Sequence, residues 1–174
     1  MISRLTYILL ICFSALLLSS CGAWQKTKQG TASVAKAIFY RHVETLHLTF
    51  TARAAINKDD AQQSMPLRLV VLQLSDRQII DNAEYNSLLT QPDLVLKESL
   101  LAQRQLSIMP GQSVSLDVPM EKQAQFVAVL GLFRQPDRER GTWKRVLSRE
   151  ELDPDAPRTI EVRDNTLSLL PEQK

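Results

Sequence analysis

The segment LRLVVLQLS, residues 67–75, carries apolar side chains on both faces of an extended chain. A strand with this pattern is covered on both sides, so the segment is predicted to lie in the middle of a sheet. The segment FVAVLGLF, residues 126–133, has the same character and is predicted to form a second central strand. Together, the two segments predict a core that is built from strands.

Around these two segments the chain shows short strands separated by turns. Residues 46–50 (LHLTF) alternate apolar and polar side chains, which is typical of a half-buried strand. Further strands are predicted over residues 105–108, 113–118, 142–148, 159–162 and 166–170, with tight turns at 109–112 and 163–165. About seven short strands at near-regular spacing predict an all-β fold, an antiparallel β-sandwich, with a closed barrel as the alternative. A βαβ fold is disfavoured because helices do not alternate with strands.

One segment, residues 81–101, breaks the alternation and is predicted to be a short helical insertion. Asp81 followed three residues later by Glu84 suits the start of a helix. A first helix would place Tyr85, Leu88 and Leu89 on one face, and a second helical piece would contain Leu96, Leu100 and Leu101.

Residues 1–20 have the character of a secretory signal peptide. Arg4 supplies a basic start, and residues 7–18 (YILLICFSALLL) are apolar, although too few to cross a membrane as a helix. A buried helix is the alternative for such a run, but its position at the start of the chain favours export. The tetrapeptide Leu18-Ser19-Ser20-Cys21 then resembles the bacterial lipobox, in which small residues precede a cysteine that is acylated and becomes the new N-terminus.

Cys21 is therefore predicted to be a lipidation site that carries diacylglycerol and palmitate. Cys12 would leave with the signal peptide, so the mature chain would keep one cysteine and form no internal disulfide. Gly22 is not the aspartate that commonly retains lipoproteins in the inner membrane, so the expected location is the periplasmic face of the outer membrane. The expected organisation is a signal peptide (1–20), a lipidated N-terminus with a flexible tether (21–36) and a β-sandwich binding domain (37–174).

Composition argues against several functions. The 174 residues include 21 basic and 19 acidic side chains, so no broad positive field for nucleic acid is expected. With five glycines and no glycine-rich phosphate motif, no cofactor and no small-molecule substrate are expected. His42 and His47 lie five residues apart, which does not place two ligands on one helix face, so no metal site is expected.

Residues suited to catalysis are also scarce. The carboxylate pairs Asp59-Asp60, Glu150-Glu151 and Asp153 with Asp155 lie in polar, turn-like segments, where solvation explains them better than acid–base catalysis. The basic concentration at residues 134–145 contains interleaved acids and is interpreted as a solvated face. An envelope hydrolase that uses His47 with a carboxylate is the remaining enzymatic alternative. The residues therefore favour a membrane-tethered sandwich that is not an enzyme and that binds another protein.

The order of the sequence blocks adds a resemblance. Behind the lipobox come LHLTFTARAAIN, PLRLVVLQLSD, AEYNSLL, LLAQRQLSIMPGQSVSLDV and FVAVLGLFRQPDRERGTWKRVL. This order resembles the TssJ (SciN, VasD) family, the outer-membrane lipoproteins of the type VI secretion system. The resemblance implies a transthyretin-like β-sandwich. It also implies a structural role: binding the periplasmic C-terminal region of TssM, the inner-membrane component, to assemble a trans-envelope complex with the other membrane-complex subunits.

The resemblance also implies where the partner binds. In the family, the loop between the first two strands contributes to the contact with TssM, and residues 53–66 occupy that place here. The candidate partner-binding residues are Asn57, Lys58, Asp59, Asp60, Gln62, Gln63, Ser64, Met65 and Pro66. The alternative function is a periplasmic lipoprotein that pilots or chaperones another outer-membrane assembly, because the same anchor and sandwich would serve that role.

Overall fold

In the computed structural model, which describes residues 43–172, eight strands form two four-stranded sheets that pack into a sandwich. The strands are β1 (Thr45–Ile56), β2 (Leu67–Leu74), β3 (Leu100–Ile108), β4 (Ser113–Pro119), β5 (Phe126–Gly131), β6 (Lys144–Ser148), β7 (Arg158–Asp164) and β8 (Thr166–Leu169). Three short helices, α1 (Gln78–Asn82), α2 (Tyr85–Thr90) and α3 (Pro92–Val95), separate β2 from β3. The predicted sandwich with a helical insertion is confirmed. The predictions for the signal peptide, Cys21, the tether and His42 lie outside the described residues.

The two sheets have the strand orders β4-β1-β7-β8 and β3-β2-β5-β6. Neighbouring strands are antiparallel except β1 and β7, which are parallel. The predicted antiparallel sandwich is therefore confirmed as a whole, and the pairing of β1 with β7 is where it departs from the prediction. The reason is that β6 ends where β1 begins, and the link between β6 and β7 crosses to the first sheet there. Strand β7 therefore starts at the same end as β1 and runs parallel to it. There Arg149 donates from Nη2 to the carbonyl oxygen of Val43 at 2.6 Å.

Strands β2 and β5 are central, as their apolar sequences predict, because both faces of the second sheet are covered. On the inner side, Gln73 is 3% exposed and donates from Nε2 to Pro119 O, beside β4 of the first sheet. On the outer side lies the helical insertion, where Lys144 donates from Nζ to Ile80 O at 2.7 Å and to Asp81 O at 2.8 Å. Burial on both faces explains why these strands lack an alternating polar pattern.

Two predicted boundaries were wrong in the helical insertion. Helix α1 begins at Gln78, so Asp81 lies within it and pairs with Arg77 instead of starting a helix. Leu100 and Leu101 belong to β3, since Leu100 is aligned with Leu74 of β2 and extends the sheet beyond the predicted strand. Long-range strand pairing has overridden the helical spacing of the leucines.

The predicted loop after β1 was too long by four residues. Residues 53–56 continue the strand, because the Arg53 guanidinium pairs with Glu161 of β7 at 2.7 Å and Ile56 is fully buried. The connection between β1 and β2 therefore comprises residues 57–66.

The connections between strands fall into two groups, one at each end of the sandwich. All odd-numbered strands run in one direction and all even-numbered strands in the other. The connections β1–β2, β3–β4, β5–β6 and β7–β8 therefore meet at one end, which we call the loop end. Val43, which precedes β1, lies at the opposite end. Strand β1 has 12 residues, so the two ends are about 40 Å apart.

A glycine at the end of β5 is required by close packing. A Cβ atom at Gly131 would lie 2.5 Å from Cε2 of Phe133, and the Phe133 ring is buried. We expect Gly131→Ala to lower the free energy of unfolding by about 1–3 kcal/mol, the usual cost of overpacking a core. Urea unfolding measures this, and Phe133→Leu should reduce the penalty in the double variant. An unchanged unfolding midpoint in Gly131→Ala would contradict the packing argument.

Candidate functional site

The loop of residues 57–66 has a defined backbone conformation. Its tip is a turn in which the Gln62 backbone amide donates to Asp59 O and the Asp59 backbone amide donates to Gln63 O, both at 3.0 Å. The carboxylate of Asp59 also accepts a hydrogen bond from the Gln63 amide at 2.9 Å. Gln62 has a φ of 62°, in the left-handed region, as a tight turn of this kind requires. The loop thus presents its side chains from an ordered turn.

Asn57 differs from the other candidate residues because it is buried. Its side chain is 4% exposed, donates from Nδ2 to Pro66 O at 2.8 Å, and accepts at Oδ1 from the Arg134 amide at 2.8 Å. Its own amide donates to Asp164 O at 2.8 Å. Asn57 is therefore engaged inside the protein and offers little surface to a partner.

The other candidate residues lie at the surface of the loop end. Asp60, Gln62, Gln63 and Pro66 are exposed, and Lys58, Asp59, Ser64 and Met65 are half-buried. Because residues 58–66 share one short loop, these side chains lie close together and can contact a single partner.

The structure adds a neighbour that sequence reasoning missed. Ile108 is aligned with Leu67, so Met109, one residue beyond the pair, lies beside Pro66 at the loop end. The Met109 side chain is 53% exposed, which is unusual for a large apolar residue in this domain. The sequence predicted the turn at residues 109–112, but the exposure of Met109 depends on the alignment of β2 with β3.

A cleft of about 780 Å³ lies between the helical insertion and the β5–β6 connection. Tyr85 donates its hydroxyl to Phe133 O at 2.6 Å, and its ring meets that of Trp143 edge to face with centroids 5.0 Å apart. Arg138 stacks over the Tyr85 ring at 5.7 Å and bonds to Asn86 Oδ1. These contacts attach the insertion to the sandwich.

Two of the titratable groups at this cleft, Tyr85 and Lys144, have pKa values that are shifted mainly by burial. Burial raises the pKa of the Tyr85 hydroxyl, opposed by the nearby charge of Arg138. Burial lowers the pKa of Lys144, opposed by the charge of Asp81. Both groups donate to backbone carbonyls, so their environment is explained by packing of the insertion.

The Tyr85 hydroxyl gives a second test of the packing. We expect Tyr85→Phe to lower the free energy of unfolding by about 1–3 kcal/mol, because the buried Phe133 carbonyl would lose its hydrogen bond. Chemical denaturation measures the change. As a control, the near-ultraviolet spectrum of Trp143 in Tyr85→Phe should match that of the folded wild-type protein. A variant as stable as the wild type would show that the hydroxyl contributes nothing.

The residues considered for catalysis have structural roles. His47 pairs across the sheet with Asp117, at the solvent-exposed face of β1 and β4. Asp153 accepts hydrogen bonds from the amides of Asp155 and Ala156. Within residues 43–172, no group of His, Cys, Asp and Glu side chains is suited to hold a metal ion. Over the same residues, no helix has the length and apolar character needed to cross a membrane.

Fold and site together define a β-sandwich domain that presents ordered loops at one end. Residues 44–165 match the model of the type VI secretion lipoproteins, a family described by the names VasD, EvfM and TssJ. This chain belongs to that family, which confirms the resemblance read from its sequence blocks. The family is one of structural lipoproteins, so the prediction that the chain is not an enzyme is also confirmed.

Solved structures agree with this assignment. A chain in a structure described as "Type VI membrane complex" is 41% identical, with a TM-score of 0.72 over 75% of this chain and 100% of that chain. A chain in "T6SS protein TssM C-terminal domain (869-1107) from EAEC" is 39% identical, with a TM-score of 0.69 and the same coverage.

A more distant structure shows the same fold. Lip of Serratia marcescens, described as a membrane bound component of the type VI secretion system, is 22% identical, with a TM-score of 0.68 over 76% of this chain and 100% of that chain. No curated protein sequence matches this chain.

Proposed function

We propose that this lipoprotein is held at the periplasmic face of the outer membrane by lipid on Cys21 and binds the periplasmic C-terminal region of TssM through its loop end. In this way it contributes to a trans-envelope complex with the other membrane-complex subunits. Its action is tethering and recruitment, without turnover.

The proposed anchor follows from the organisation of the N-terminal segment. Removal of residues 1–20 leaves Cys21 as the first residue, followed by a tether up to residue 36 and the domain from residue 37. Three acyl chains on one cysteine give stable attachment, whereas a single chain binds a membrane only marginally. If the proposed tether behaves as a flexible chain of about 15 residues, its root-mean-square span would be about 20 Å, which would keep the domain close to the lipid.

The observation that carries the proposal is the direction of β1. Val43, the first residue that the structure describes, lies at one end of β1, and the loop of residues 57–66 lies at the other end of the same strand. A strand of about 40 Å separates the two, so a partner that binds the loop contacts the end of the sandwich that lies away from Val43. A partner that is rooted in the inner membrane would approach from that side.

The choice of partner is supported by one of the solved structures. The TssM fragment named there, residues 869–1107, is longer than this entire chain of 174 residues. The matched chain, in contrast, aligns over 100% of its own length with 75% of this chain, so it is shorter than the TssM fragment. We take the matched chain to be a second protein that accompanies the TssM fragment, and we extend the same association to this lipoprotein.

Binding of detergent-solubilised lipoprotein to the purified TssM C-terminal region tests the proposal. We expect saturable binding, weakened about tenfold by Asp60→Lys, because Asp60 is exposed on the loop. Lys122→Glu is the matched control, since Lys122 is an exposed charge in the β4–β5 connection at the opposite end. No binding at tens of micromolar by folded wild-type protein would refute the proposal. Equal weakening by both variants would refute the assignment of the loop end.

A further inference from the structure

Asn57 joins three segments at the loop end through its side chain and its backbone amide. The side chain bonds to Pro66 at the far end of its own loop and to Arg134 in the β5–β6 connection. The Asn57 backbone amide donates to the carbonyl oxygen of Asp164, the last residue of β7 before the β7–β8 turn. The three partners are 9, 77 and 107 positions away in the chain, so no local element would hold these segments together.

The backbone at this position restricts which residue can serve. Asn57 has a φ of 44°, in the left-handed region, where asparagine, aspartate and glycine are tolerated and most other residues are strained. Among these three, asparagine alone combines an amide donor for Pro66 O with an oxygen acceptor for the Arg134 amide. The site therefore needs both the conformation and the side chain of asparagine.

The residues that Asn57 connects are at the surface, although Asn57 is not. Pro66 and Arg134 are exposed, and the exposed turn residues Gln62 and Gln63 follow Asn57 in the same loop. The bonds of Asn57 therefore fix the position of the β1–β2 loop relative to the first residues of the β5–β6 connection. A partner that contacts the loop meets Arg134 as part of the same surface.

We infer that Asn57 is a positioning residue, which holds the β1–β2 loop and the Arg134 segment together as one composite surface for the partner. The identity of the partner rests on the proposed function, whereas the positioning role rests on the bonds of Asn57 alone. Loss of these bonds would leave two mobile segments that must be ordered during binding, and this ordering lowers affinity.

Two substitutions separate the contributions of Asn57. Asn57→Gly keeps the left-handed conformation available and removes both side-chain bonds. Asn57→Asp keeps an acceptor for the Arg134 amide but places a carboxylate against Pro66 O, where no proton is left to donate. Hydrogen exchange should therefore accelerate at the Met65 and Gln63 amides in both variants, and at the Arg134 amide only in Asn57→Gly. Amides in the central strand β2 should exchange as in the wild type.

Affinity for the TssM C-terminal region, measured with the full-length lipoprotein in detergent, completes the test. We expect Asn57→Gly to weaken binding by about tenfold or more, Asn57→Asp by less, and Arg134→Glu by about tenfold. Lys122→Glu should bind as the wild type does. Wild-type affinity in both Asn57→Gly and Arg134→Glu would overturn the inference, and so would faster exchange spread evenly over the whole domain. If the wild type itself fails to bind TssM, the proposed function fails, whereas locally accelerated exchange in Asn57→Gly would still support the positioning role.

Discussion

Replacing Cys21 by serine is expected to move the protein out of the membrane fraction and to abolish type VI secretion, with the domain still folded. The serine hydroxyl cannot form the thioether that carries diacylglycerol, so the acyl chains are lost together. Each buried methylene contributes roughly 0.8 kcal/mol to membrane binding, so removing whole chains leaves no lipid anchor. Membrane fractionation, a secretion assay and a thermal unfolding scan measure the three effects.

Cys12 provides a matched control for this experiment. It is the other cysteine of the chain and lies within the apolar run of the proposed signal peptide. Cys12→Ser should leave attachment and secretion unchanged, because residue 12 would be removed with the signal. Continued membrane attachment of Cys21→Ser, or equal loss in both variants, would contradict the assignment of Cys21 as the anchor.

Replacing residues 58–65 by glycine and serine, with the length unchanged, should have the largest effect on partner binding. We expect the affinity for the TssM C-terminal region to fall by about 100-fold or more, the effect of losing a few strong contact residues. The replacement also removes the hydrogen bond from Gln63 to the Asp59 carboxylate, so the loop must be ordered on binding. Titration calorimetry with full-length lipoprotein in detergent measures the loss.

A glycine and serine replacement at the other end of the sandwich is the control for the loop replacement. Residues 153–156 lie in the link between β6 and β7, at the end of the sandwich where Val43 lies. Their replacement by glycine and serine should leave the affinity for TssM within about twofold of the wild type. A loop replacement of residues 58–65 that keeps full affinity would show that the partner contacts another surface.

Strand positions could be predicted where burial leaves a pattern in the sequence. The run at residues 67–75 marked a central strand because the second sheet is covered on both faces, by the first sheet and by the helical insertion. The alternation at residues 46–50 marked a strand with one solvated face in the same way. Both patterns are local consequences of where the side chains lie.

Features that depend on distant pairing could not be predicted in this way. The strand character of residues 53–56 rests on Arg53 and its partner Glu161, which is 108 positions away. The parallel alignment of β1 with β7 follows from the crossing of the β6–β7 link between sheets. The leucines at 100 and 101 had helical spacing, but pairing with β2 determined their conformation.

The position of the loop between the first two strands was predicted from the sequence, but the burial of its residues was not. The loop lies within the segment that the sequence resemblance implied, residues 53–66, but it is shorter and comprises residues 57–66. Burial separates Asn57 from the surface residues around it, and this separation depends on contacts with Arg134 and Asp164 that no sequence spacing reveals. Met109 joins the loop end only through the alignment of β2 with β3.

Site-specific photo-crosslinking of the membrane-anchored protein in intact cells tests the central claim most directly. A photoreactive residue at Gln62, which is exposed at the loop end, should form a crosslink to TssM. The same residue at Lys122, which is exposed at the end near Val43, should form none. A TssM crosslink from position 122 with none from position 62 would contradict the account.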